Sequence, residues 1–244
     1  MGRVVTFAQL PAERIGEGVD KAPITRGETR EMAAEFVRVE PGKQWTAAAP
    51  RGSDCYLFML RGAAAIAANG QRHSLAAQTF ATLEEGIEFT VANDGTSPAE
   101  IVKVLAPPRP NALPGFRGKI KVAERERTPV VDLPEQKKKR LYFVGHDAAR
   151  SERGHAMIVV YEKETVTGLH HHPNAESLFV VLTGALEFTV NGDAIVVEPG
   201  QAAYFGLNDQ HGLHVAEGFD GASFLEFHIP AAFTTVRASQ FRAS

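Results

Sequence analysis

Six of the nine histidines in this 244-residue chain lie between residue 170 and the end, in two compact groups: His170, His171 and His172, then His211, His214 and His228. In an extended segment successive side chains point to opposite faces, so His170 and His172 share a face and His171 points away from it. Glu176 follows four residues after His172, beyond a turn at Pro173-Asn174, and is placed to approach the same point. His211 follows a second turn at 206–210. Two imidazoles from one strand, a carboxylate from the next and an imidazole from farther along form a mixed nitrogen and oxygen site for one divalent metal, and Fe, Mn, Ni, Co and Zn all suit such ligands. Glu226 and His228 share a face of the last strand expected, over 224–229. If that face is inward they serve as acid and base near the metal or as supports for its ligands, and if it is outward they are surface residues.

Short apolar segments separated by turn residues must position these groups. Residues 34–105 are punctuated by Pro41-Gly42, Gly62, Asn69-Gly70, Glu85-Gly86 and Asn93-Asp94-Gly95, and the same texture resumes from Leu141. Strands at regular spacing with turns between them mean a sandwich or barrel, so the fold class expected is all-β. Residues 109–135, rich in proline and charge, are expected to be a linker between one barrel over 28–108 and another over 136–232. The halves superpose in sequence: Gly62 and Gly184, Asn69 and Asn191, and Gly70 and Gly192 each stand 122 residues apart. An Asn-Gly pair tolerates the positive φ angles of a tight hairpin, so its recurrence at a constant offset indicates one unit repeated.

The run Gly168, His170-x-His172, Glu176, Gly184, followed by Pro199, Gly200 and His211, resembles the two sequence motifs of the cupin superfamily. With the repeat, the whole chain is similar to a bicupin, two tandem RmlC-like jelly-roll barrels. In most cupins the ligand Glu stands six residues before the closing Gly, where this chain has Ser177. Either a local irregularity turns Glu176 inward, or the site has three His ligands with Ser177 lining it, because a one-residue slip exchanges the faces of a strand. The offset carries His170, His172, Glu176 and His211 onto Ala48, Pro50, Asp54 and Phe89, so the resemblance implies a metal-free first barrel, with Trp45 and Phe89 available to something apolar. An inert first barrel and a metal-bearing second one resemble the (S)-ureidoglycine aminohydrolase-like bicupins. Those enzymes carry Glu, His, His and Gln at the four places, where this chain has His, His, Glu and His.

Several other features have a plainer reading. A solvated His-rich turn is an alternative for His170–His172, but it gives no reason for His211 to stand in register. His171 is expected to face outward and His214 to be structural, while Tyr161 and Tyr204 are expected to be barrel packing. Lys137-Lys138-Lys139-Arg140 reads as a solvated loop at the linker's end. Cys55, the single cysteine, reads as a buried inert thiol. It leaves no internal disulfide, which fits a reducing, cytoplasmic compartment. A net charge of −3 supplies no basic field for nucleic acid. The longest apolar runs, 178–182 and 63–68, are far short of the roughly 18 residues of a spanning helix. No secretory pattern opens the chain, and Met1-Gly2 with Thr6 is only a short match to a myristoylation signal.

The function expected first is therefore a metal-dependent enzyme acting on a small organic acid or enolisable carbonyl compound, with a dioxygenase favoured. A hydrolase, isomerase or lyase using Zn or Mn is the alternative. A non-catalytic small-ligand-binding protein and a metal-free storage bicupin are further readings. The partners expected are a small-molecule substrate and a second copy in a homodimer.

Overall fold

The computed structural model describes residues 2–27, 29–106, 120–145 and 153–240. The chain divides into two compact units, one of Leu10–Thr128 with Arg153 and one of the first nine residues with the chain from Pro129 onward apart from Arg153. Among the described residues no helix is long and apolar enough to cross a membrane.

The second unit is two antiparallel sheets face to face. One runs in the order Arg3–Thr6, Gln201–Phe205, Glu176–Thr183, Gly221–Ile229, His155–Glu162, Lys138–Val144, Val130–Leu133. The other runs Asp193–Val197, Leu186–Val190, His211–Val215, Val166–His171, Val236–Arg237. Alternate residues of each strand meet between the sheets, where Phe179, Phe188, Phe205, Phe224, Val181 and Leu213 form the core. In the first unit the four central strands of the larger sheet, Phe80–Leu83, Asp54–Arg61, Ala99–Ala106 and Ala33–Val39, occupy the same order. Its smaller sheet runs Gln44–Ala48, Glu88–Ala92, Ala64–Ala68, Gln71–Leu75. Trp45 and Phe89 meet edge to face within its core, at 5.4 Å between ring centroids.

The 122-residue offset recurs in backbone detail. Asn69 and Asn191 both take positive φ, 50° and 54°, at the tips of equivalent hairpins. Gly62 and Gly184 also have positive φ, and a Cβ at either would lie 2.4 or 2.2 Å from a backbone carbonyl, of Pro98 and Gly221 respectively. No other residue type satisfies both demands.

The stretch 109–135 is not simply a connector. Residues 107–119 lie outside the described residues, but Ile120–Ala123 pairs with Phe80–Leu83, and Val130–Leu133 pairs with Lys138–Val144. Ile120 and Val122 lean on the first unit's core, which is why a charged segment becomes a strand here. In the same way Arg3–Thr6 covers the edge strand Gln201–Phe205, so a sheet edge that would otherwise present unpaired backbone groups is closed. Strands also precede residue 28, at Glu13–Gly16 and Val19–Pro23. Lys137-Lys138-Lys139-Arg140 is not a loop. From Lys138 onward it is strand, with Lys138 and Arg140 opposite Tyr161 and Val159.

Candidate metal centre

Val166–His171 pairs with His211–Val215, and its register breaks between Thr167 and His170. This bulge places His170 directly opposite His211, whereas the equivalent Ala48 of the first unit stands opposite Glu88 in an unbroken ladder. An extra residue in one strand re-aims the side chains that follow it. His172, one residue past the strand, turns back to the same point. The potential ligand atoms of His170, His172 and His211 lie within 4.8 Å of one another, and all three residues are buried.

Each ring is held through its other nitrogen. The Nδ1–H of His170 donates to the Gly168 carbonyl at 2.8 Å, that of His172 to Thr234 at 2.9 Å and that of His211 to Asp209 at 2.9 Å. Such bonds fix the tautomer and leave Nε2 as a lone pair. The Nε2 atoms of His172 and His211 are buried with no hydrogen bond. Burial pushes all three rings below the ordinary histidine range, His172 to about 4, against the backbone carbonyls that favour the charged form. Three neutral imidazoles converging with orphaned nitrogens are what a divalent ion of the Fe, Mn, Ni, Co or Zn kind fits.

Glu176 is not part of this group. Along Glu176–Thr183, Phe179 and Val181 face the core, and Ser177 on the same face bonds His228. Glu176 is on the opposite face, as strict alternation in this strand requires. Of the four ligands expected from sequence, the three histidines come together and the carboxylate does not join them. His171 also points away, its backbone opposite Val236. His214 is half-exposed, 3.6 Å from Glu187.

Glu226 and His228 face inward beside Phe224. His228 Nε2 lies 2.6 Å from Glu226 Oε1, and His228 Nδ1 lies 2.9 Å from Ser177 Oγ. An ionised carboxylate only accepts, so Nε2 carries the proton and Nδ1 of the neutral ring accepts from the Ser177 hydroxyl. With both nitrogens engaged, His228 is not a fourth ligand, although its ring centre is 4.8 Å from that of His172. Burial pushes the Glu226 carboxyl up, but the hydrogen bond from His228, with the surroundings that include His155 and Arg140, outweighs it and holds the group at about 2. A carboxyl lowered by folding stabilises the native state above its ordinary pKa of 4.5, and that contribution is lost as pH falls toward 2. Denaturant unfolding from about pH 6 down to 2 is expected to show this loss. Glu226→Gln should lose less stability over the same interval, and equal losses in both proteins would show that the pair is not linked to folding.

Sequence reasoning missed three groups. Phe233 stacks on His228 at 4.0 Å between ring centres, and its neighbour Thr234 anchors His172, yet residues 230–235 have no periodicity to reveal them. His155 lies across from His228. It shares a face with Met157, Val159 and Tyr161, at the polar end of that strand where the apolar run has not yet begun. Cys55 is in the first core, its thiol pushed up to about 12 by burial, which removes it as a nucleophile.

Residues 157–227 match the family model of the cupin domain. The chain as a whole has the fold of two tandem cupin barrels, and solved structures similar to it share that arrangement. They include protein Ylba from E. coli, with TM-score 0.77 and 13% identity over 96% of this chain and 93% of that one. The putative glyoxylate induced protein from Pseudomonas aeruginosa has TM-score 0.77 and 15% identity over 100% and 91%. The Lactobacillus farciminis oxalate decarboxylase in its formate complex has TM-score 0.72 and 15% identity over 97% and 88%. None of the curated proteins matches the chain in sequence. The matched cupin segment contains His170, His172, His211, Ser177 and Glu226, and ends one residue before His228.

Proposed function

We propose that the second cupin barrel is a metal-dependent enzyme acting on a small organic acid or enolisable carbonyl compound, with a dioxygenase as the favoured reaction. The observation that carries this reading is that His170 and His172 of the three-histidine cluster line one cavity of about 720 Å³ together with the Glu226–His228 pair. His170, His172 and His211 would hold the ion, which when bound supplies Lewis acidity toward a chelating acid or enolate and, as iron, the chemistry of O₂. His228 holds a proton on Nε2 and Glu226 orients it, so the pair can give a proton at Nε2 or take one up at the Glu226 carboxylate once a substrate lies against it. Phe179, Leu213 and Phe233 line the apolar part of the cavity and keep water from the reacting group. A small carboxylate also agrees with the oxalate decarboxylase among the similar structures.

A hydrolase, isomerase or lyase is the second reading. It is favoured by the absence of Glu176 from the cluster, because three neutral ligands leave the ion's charge undiminished. Elemental analysis and electron paramagnetic resonance on protein purified without chelator are expected to show about one ion per chain. Oxygen uptake matched to substrate loss, across a panel of small acids, would assign the dioxygenase. Loss without uptake would move the chain to the second reading, and failure to take up any of the five metals would overturn both.

A further inference from the structure

The four-residue basic run divides by its partners into two kinds of cation. Lys137, just before the strand, and Lys139 on its outer face reach Glu164 and Glu162, at 3.1 and 4.0 Å, as surface cations do. Lys138 and Arg140 line the same cavity as His170 and His172, with the Glu164-paired Lys137 at its edge. Lys138 Nζ donates to Thr167 Oγ1 at 2.7 Å and lies 4.9 Å above the Tyr161 ring. Arg140 reaches only the Tyr142 hydroxyl, at 3.3 Å, and its Nε is buried with no hydrogen bond. Among the described residues neither cation has a carboxylate within ion-pair distance; Glu226, whose charge both feel, is engaged directly by His228, Glu164 by Lys137 and Glu135 by Gln136.

A half-enclosed cation with unfilled donors costs stability that an arriving anion relieves. The planar fork of Arg140 matches the paired oxygens of a carboxylate or phosphate. A cavity of this volume is also far larger than one acid group at the cluster needs. We infer that the cavity selects an acid bearing a second anionic group, held by Lys138 and Arg140 while the first end lies at His170, His172 and His211. This rests on the metal-dependent reading above and names its substrate class.

Isothermal titration of the metal-loaded full chain with succinate, 3-phosphonopropanoate and butyrate tests it. The two dianions are expected to bind at least about tenfold tighter than butyrate, and the tighter of them identifies the second group as carboxylate or phosphate. Arg140→Gln and Lys138→Gln should each remove most of that preference without changing butyrate binding or metal content. Arg140→Lys keeps the charge and guards against a folding artefact, and should keep part of the preference. Lys139→Gln, from the outward face, should keep all of it. Butyrate binding as tightly as succinate, or weakening equally in Arg140→Gln, would overturn the inference while leaving the metal reading intact. A chain that takes up no metal yet prefers the dianions would do the reverse.

Discussion

Replacing His211 with alanine is expected to strip the metal from the protein, lowering affinity by more than about a hundredfold, beyond the usual loss from removing a supporting residue. The ring is buried, its Nδ1 is committed to the Asp209 carbonyl and its Nε2 has no protein partner, so an ion has no substitute donor from that side. The ring also stacks on Phe205 at 4.3 Å, so alanine leaves a cavity, and His211→Gln serves as the variant that keeps more of the volume. Metal content by plasma spectrometry and competition with a chelator measure the effect, with circular dichroism confirming the fold. Glu176→Gln is the informative contrast. Glu176 lies on the opposite face of its strand, so this variant should keep full metal content, and a loss comparable to that of His211→Gln would restore Glu176 as a fourth ligand.

What was legible in the residues follows from where local rules are uninterrupted. The Asn-Gly hairpins and the glycines at 62 and 184 require positive φ in both halves, so a constant offset in sequence became a constant offset in structure. The convergence of His170, His172 and His211 was also legible, because strand alternation puts the first two on one face and the second of the two cupin-like motifs brings in the third. Counting residues fails where the ladder slips. The bulge after Thr167 changes which residue stands opposite His211, and only Gly168 hinted at it. Glu176 stands one residue off the position where most cupins carry their ligand Glu, and with no irregularity in this part of the strand, alternation, which governs a buried strand with both faces filled, turns it to the other face. The Lys137–Arg140 run reads as a loop in sequence because four cations in a row hide the period of two that begins at Lys138. Phe233 and Thr234 owe their place to long-range packing, which no local pattern encodes.

Glu226→Gln should reduce turnover about 10²- to 10⁴-fold, the range for removing a general acid or base, with metal content unchanged. Gln keeps the size of the side chain and can still accept from His228 Nε2, so packing against the buried ring survives. What it loses is the negative charge that steadies an imidazolium if His228 takes a proton during reaction. His228→Asn should lose at least as much, because it removes the proton-bearing atom itself. The double variant should then be no worse than His228→Asn alone, since residues acting as one unit are not additive. Ser177→Ala offers a graded test of the same arrangement. It removes the bond that steadies the His228 ring at Nδ1, at 2.9 Å, while sparing Glu226 and the three ligands. A smaller loss, with a shifted pH profile of kcat, marks Ser177 as a positioning residue. Full activity in Glu226→Gln would instead assign the proton transfer elsewhere in the cavity and reduce the pair to structural support.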